Sequence, residues 1–395
     1  MTDLRTAPSD PEASALPARW RSPALLAVVV AMALAGVLVL VLAVSGGGAS
    51  GVQAGPGPQP EQDDRGGVTD EGGSTSAEQR EPSSTAVQDA PEGYLFPETS
   101  FWRDDLRDAP VHDNSEAIVG HLADSVAAHY DGVATFNLDQ YNVAYYEVDD
   151  SAPTYDVAFD DCQDKGGTPD GLYDGDAHFA DVPIPDGARP AEGNDGALVI
   201  HSPTTDQLWE FWRASPTDDG WQACWGGRID DVSTSPGYFD GNFGTTATGL
   251  SHAGGMISLD DVRAGRIDHA VALLAVEPAT YKTYSWPAQR SDGYSDDEDA
   301  VPEGLRLRLP ADVDVASLDL HPLAEMVALA AQKHGFVIVD KAGATGVYTE
   351  SGAAVEAETG QDPWDEYLEG TPSYEVMRDF PWDELEALPM DHGER

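Results

Sequence analysis

The longest apolar stretch comes early: Ala24 to Val44 runs without a single charged residue. As a helix rising 1.5 Å per residue it would cover about 30 Å, the thickness of a bilayer core. The apolar core of a secretory signal is shorter, roughly 7–15 residues, so the run predicts a retained transmembrane helix over 24–44. Small residues around Ala49 and Ala54 keep a cleaved signal as the alternative. Arg19 and Arg21 precede the run and the next basic residue is Arg65. The positive-inside rule then puts 1–23 in the cytoplasm as a short tail and the rest outside, at the plasma membrane. Over 45–92 the apolar pattern disappears into Gly, Ser, Pro, Gln and Asp. That composition predicts a disordered tether, spanning roughly 40 Å root-mean-square.

From 93 onward the pattern is one of short apolar runs broken by Gly, Pro, Asp and Ser. Strands are predicted at 133–138, 143–148, 198–201, 208–213, 221–225, 271–276, 305–309, 336–339 and 347–349. Many short punctuated strands predict a mainly β fold, a β-sandwich or jelly-roll-like ectodomain over 93–350 with a few peripheral helices. Two helices interrupt the series. Asn114-Ser115 can cap one that carries Ile118, Val119, Leu122 and Val126 and stops near Gly132. Pro322 opens another, with Leu323, Met326, Val327 and Ala330 on one face, His334 in the last turn and Gly335 as the stop. Residues 351–370 read as an acidic loop, and "FPWDELEAL" at 380–388 as a short amphipathic C-terminal helix packing on the ectodomain.

The pattern is sharpest in "ALVIHSPTTDQLWEFW", 197–212. If "PTTDQ" closes a hairpin with Ser202 facing Gln207, Ile200 pairs with Trp209 and Leu198 with Phe211. Side chains alternate faces along a strand, so Leu198, Ile200, Trp209 and Phe211 share a core face. Val199, His201, Glu210 and Trp212 share the other. A third strand after "SPTDDG" would set Phe211 opposite Ala223 and Trp209 opposite Trp225. This makes Trp225 core and adds Gln222 and Cys224 to the second face.

Composition narrows the classes. Lys plus Arg number 21 against 71 Asp plus Glu, a formal charge of -50. Such a surface repels phosphate backbones, which argues against nucleic acid as a partner. Under the predicted topology Cys162 and Cys224, the only cysteines, lie in an oxidising compartment. Such a pair predicts a disulfide, with two isolated thiols as the alternative. No GxxxxGK[ST], HExxH, G-x-S-x-G or EF-hand pattern occurs, so a nucleotide or zinc enzyme has no support.

Several motifs recur together: "SFWRDDL" and "APVHDNS" within 100–115, "VPIPDGARPAEGNDG" at 182–196, "LWEFWRA" at 208–214 and "GWQACWGGRI" at 220–229. "GYFDGNFGTTATGL" at 237–250, "GRIDHAVAL" at 265–273, "SWPAQRSDG" at 285–293, "VPEGLRLRLP" at 301–310 and "AQKHGFVIVDKAG" at 331–343 continue the series. The series resembles a family of extracytoplasmic, membrane-anchored bacterial proteins common in actinobacteria, over about 100–388. The resemblance implies a jelly-roll or lectin-like sandwich and brings no assigned activity or catalytic residues.

The second hairpin face supplies the candidate chemistry. His201, Glu210, Trp212 and Gln222, with Arg228 nearby, mix an aromatic plane with fixed polar groups, as a sugar site requires. A Glu between aromatics can act as an acid or base when its pKa is raised; the alternative is a solvated Glu or a buried one bonded to neighbours. His269, at the mouth of the apolar 271–276 strand, is a second catalytic candidate, against a satisfied edge histidine. Tyr281 is a third. Tyr284, Arg228 and Arg290 complete the residue types used by jelly-roll polysaccharide lyases. The acidic stretch 161–181 offers Asp174, Asp176 and Asp181 as oxygen ligands for Ca²⁺ as the one possible cofactor, against a plain acidic loop. The expected role is therefore a membrane-anchored surface module binding a glycan or envelope polymer. The alternatives are a polysaccharide hydrolase or lyase, and a structural envelope protein.

Overall fold

The computed structural model describes residues 94–394 apart from Asp176. The predicted tail, transmembrane helix and tether over 1–92 lie outside the described residues. Among those described, no helix is long and apolar enough to cross a membrane.

The described chain is mainly β, with several sheets and few helices. It contains strands β1 (Thr135–Asn137), β2 (Ala144–Glu147), β3 (Thr154–Tyr155), β4 (Ala158–Phe159), β5 (Val182–Pro183), β6 (Leu198–Ser202), β7 (Gln207–Trp212) and β8 (Ser215–Thr217). There follow β9 (Gly220–Ala223), β10 (Trp225–Asp230), β11 (Val271–Ala275), β12 (Arg306–Arg308), β13 (Phe336–Lys341), β14 (Gly346–Tyr348) and β15 (Glu386–Ala387). The helices are α1 (Ser115–Ala128), α2 (His252–Gly255), α3 (Leu259–Ala264), α4 (Pro322–Lys333), α5 (Ala353–Thr359) and α6 (Asp365–Leu368). A six-stranded sheet runs β1-β14-β11-β13-β12-β15 and a four-stranded sheet runs β10-β7-β6-β2. Both are mixed: β1 with β14, β11 with β13 and β2 with β6 are parallel pairs.

The two sheets lie face to face. In β11, Val271, Leu273 and Ala275 pack with Ile118 and Leu122 of α1 and Leu323 and Val327 of α4. Ala272 and Leu274 point the other way, joining Val337 and Val339 of β13 and Val199, Leu208 and Ile229 of the four-stranded sheet. The uninterrupted apolar run of β11 is what burial on both faces demands. The far face of the four-stranded sheet, with Leu198, Ile200, Trp209 and Phe211, packs on Leu172, Phe179, Val182 and Trp221.

The β6–β7 register is the expected one, with Leu198 opposite Phe211, Ile200 opposite Trp209 and Ser202 opposite Gln207. Asp206 sits in the left-handed region, φ 56°, which Asp tolerates, and its carboxylate accepts from Ser233 N at 2.8 Å and Ser233 Oγ at 2.6 Å.

The third strand differs. β9 leaves to pair with β8 and β4, and β10 takes its place, with Trp225 opposite Trp212 and Arg228 opposite Trp209. Gly226 and Gly227 explain the exchange. A Cβ at Gly226 would collide with the Glu210 carbonyl oxygen, and one at Gly227 would lie 2.7 Å from the Phe239 ring. Trp225 is consequently half-buried rather than core, stacked on Phe243 at 5.7 Å.

At the C-terminus, the expected helix at 380–388 is a single 3-10 turn, Trp382–Glu384, followed by β15 against β12. Pro381 disfavours helical backbone at Phe380, and the apolar residues pack directly into the α1/α4 layer. The acidic 351–370 segment folds into α5 and α6.

Candidate functional site

Glu210 lies between the sheets with no exposed surface. One carboxylate oxygen accepts from Ser251 Oγ at 2.7 Å and Ala253 N at 3.1 Å; the other accepts from Thr245 Oγ1 at 2.9 Å and His252 N at 3.0 Å. Burial raises its pKa, and the four donors offset only part of that rise. With its acceptor sites filled and no access to solvent, Glu210 fixes the 245–253 loop on the sheet. This removes it from the ligand-binding and catalytic candidates.

The same loop sets the state of His252. Thr245 gives its hydroxyl proton to Glu210, so the contact between Thr245 Oγ1 and His252 Nδ1, at 3.3 Å, uses a proton on Nδ1. Burial lowers the His252 pKa to about 4, which keeps the ring neutral. Arg290, a residue type noted for lyases, is a staple here. Its guanidinium donates to the carbonyls of Phe243, Gly244 and Thr246 at 2.9, 3.1 and 2.9 Å.

The register keeps His201 and Trp212 on the Glu210 face, but among the described residues none of the other sequence candidates bonds to it. His201 is half-buried, bonded through Nδ1 to Tyr145 Oη at 2.8 Å, with its pKa lowered by burial. Trp212 is half-buried and donates to Asp195 Oδ1 at 3.0 Å. Gln222 sits on β9, in the small sheet with β8 and β4, and so leaves the strip. His269 is buried, bonded to Ala270 O at 2.9 Å and to Asp261 at 3.2 Å, and stacked on Tyr94 at 4.6 Å. Its Nε2 meets α3 through Asp261, which caps that helix's N-terminus together with Ser258, and its Nδ1 meets the backbone just before β11. That is a positioning environment rather than a proton shuttle's. Tyr281 is 57% exposed, beside Lys282, and Tyr284 is exposed in the same loop. Among the described residues no hydrogen bond or ion pair joins any two of Glu210, His269 and Tyr281, so a hydrolase or lyase built on them gains no support.

Cys162 and Cys224 form a disulfide with 5.6 Å between Cα atoms, fastening the acidic 160s loop to the end of β9. Of the Ca²⁺ candidates, Asp174 accepts from Gly171 N at 2.6 Å, Asp176 is outside the described residues and Asp181 lines a cleft discussed next. No cluster of three or more metal-ligating side chains occurs among the described residues.

That cleft has a volume of about 440 Å³ and opens at the edge of the four-stranded sheet. Gln207 and Trp209 come from β7 and Arg228 from β10. Asp149 and Asp150 follow β2, and Asp181 precedes β5. Arg228 is held rigidly, bonded to both carboxylate oxygens of Asp230 at 2.9 and 3.0 Å. Trp209 is 4% exposed, and its indole Nε1–H has no acceptor. Of the earlier candidates only Arg228 and Asp181 are in this cleft. Asp149, Asp150 and Gln207 were missed, because the parallel β2–β6 pairing that brings the 149–150 turn beside β7 leaves no local mark in sequence.

A second cleft, about 350 Å³, is walled by Asp296, Asp297 and Glu298 over Ile118 and Met390. A third polar region surrounds Asp340, half-buried, accepting from Ala247 N at 2.7 Å and Tyr348 Oη at 3.0 Å. Burial drives its pKa up to about 8. Nearby Glu303, fully buried and beside Asp292, is also pushed well above the carboxylate range, first by burial. No protein-family model, curated protein or solved structure matches the chain.

Proposed function

We propose that the described domain is a glycan-binding module displayed outside the cell, with its ligand seated in the Trp209–Arg228 cleft. The observation that carries the reading is the Trp209 indole N–H, a buried donor without an acceptor in the wall of a cleft. Buried donors are normally paired, and a sugar hydroxyl or carbonyl oxygen is the acceptor that would complete this one. Gln207 and the carboxylates of Asp149, Asp150 and Asp181 supply acceptors for sugar hydroxyls. The Cys162–Cys224 disulfide supports an extracytoplasmic setting. The apolar 24–44 run would hold the module at the membrane, and the lectin-like likeness belongs to the same proposal. The test is a screen of envelope glycans against wild type and Trp209→Phe, which keeps the aromatic bulk and deletes the donor. A ligand that binds wild type at least tenfold more tightly than the variant fits the reading; equal affinities overturn it.

A further inference from the structure

We infer that the cleft is selective for a sugar bearing a free amine, an unacylated amino-hexose in an oligosaccharide, over neutral and anionic glycans. The inference rests on the glycan-binding reading and follows from the charges that face the cleft. Its one cationic lining residue, Arg228, is already neutralised by the two-point pair with Asp230. Three carboxylates remain: Asp149, Asp150 and Asp181. Asp149 is held ionised by the Ser151 N–H at 2.8 Å and Ser151 hydroxyl at 2.6 Å. No hydrogen bond within the described residues ends on the carboxylates of Asp150 or Asp181, which leaves them open to a ligand.

A uronate or phosphate in this cleft would meet like charge with no free cation to offset it. A neutral sugar would satisfy the Trp209 donor but leave the carboxylates with hydroxyl partners only. An ammonium on the ring satisfies both sides, because the indole N–H takes a ring or hydroxyl oxygen while the cation takes Asp150 and Asp181. Charge-assisted hydrogen bonds are roughly twice as strong as neutral ones. The net charge of -50 adds long-range attraction for a cationic ligand but cannot by itself choose this cleft.

The test is calorimetric titration of the full-length protein with three oligosaccharides of equal length, made of glucosamine, N-acetylglucosamine or galacturonate. A mildly acidic buffer keeps the amine protonated. The expected order is glucosamine about tenfold tighter than N-acetylglucosamine, with galacturonate weakest. Asp150→Asn with Asp181→Asn should abolish the amine preference and leave the neutral ligand's affinity in place. Asp312→Asn with Glu358→Gln, two exposed sites elsewhere, makes the same change in net charge and should leave the preference intact. Equal binding of the amine and acetylated ligands overturns the inference while the glycan reading stands. So does an amine preference that survives Asp150→Asn with Asp181→Asn, or one that Asp312→Asn with Glu358→Gln also removes. Failure of all three ligands to bind removes both.

Discussion

Replacing Glu210 tests how the two sheets are joined. Each of its carboxylate oxygens accepts one hydroxyl and one backbone N–H: Ser251 Oγ with Ala253 N, and Thr245 Oγ1 with His252 N. The hydroxyls can rotate toward other acceptors, but the backbone N–H groups cannot. Leaving a buried donor unpaired costs about 1–3 kcal/mol. Glu210→Ala strands two backbone donors and should lose about 2–6 kcal/mol. Glu210→Gln keeps the shape, yet either amide orientation turns its NH₂ toward one backbone N–H. It should lose about 1–3 kcal/mol, roughly half the alanine effect. Urea unfolding followed by tryptophan fluorescence reads both values, with an unchanged m-value as the check that two states persist. A Glu210→Ala loss under about 1 kcal/mol, or a Glu210→Gln protein as stable as wild type, would refute the hub role.

Other outcomes follow from the same structure. Cys162→Ser with Cys224→Ser opens a bridge between residues 62 apart, and loop-closure entropy sets the loss at about 4 kcal/mol, measurable by the same unfolding. Stability should also fall as pH rises from the unfolded carboxylate range, about 4, up to about 8. Glu350 and Asp340 have folded-state values raised to about 7 and about 8, mainly by burial. Their contribution is full below the unfolded carboxylate range and is lost as pH climbs through the raised values. Asp340→Asn should flatten the upper part of that decline in the urea midpoint. Toward acid, His252 and His334, lowered to about 4 by burial, contribute stability that is full above the unfolded histidine range and lost as pH falls through the folded value. A midpoint that stays flat as pH rises through about 7 to about 8 would contradict the burial assigned to Asp340.

The β6–β7 hairpin was legible because strict alternation and a short loop leave one register that buries Leu198, Ile200, Trp209 and Phe211 together. The helix at 322–333 was legible because cap, period and stop agree. What escaped is non-local. A buried, bonded Glu210 was one of the readings its pattern allowed, but its partners were not legible, because its four donors come from 245–253, some forty positions along the chain. The exchange of β9 for β10 turns on the close approach permitted by Gly226 and Gly227, which alternation counts as gaps. Trp209 was rightly assigned to the core, but burial of the ring hides the more useful fact that its N–H is left without an acceptor.

The central claim is that Trp209 presents a donor to a sugar, and its indole resonance reports this directly. The chain holds nine tryptophans, so the indole N–H region of a ¹⁵N-labelled protein is sparse, and Trp209→Phe assigns the peak. Trp212 and Trp225, half-buried on the opposite face, serve as internal references. Titrating in a glucosamine oligomer should move the Trp209 peak downfield, as its N–H gains an acceptor, and leave the two references in place. Saturable binding that leaves the Trp209 resonance still, or shifts Trp212 and Trp225 instead, would contradict the account.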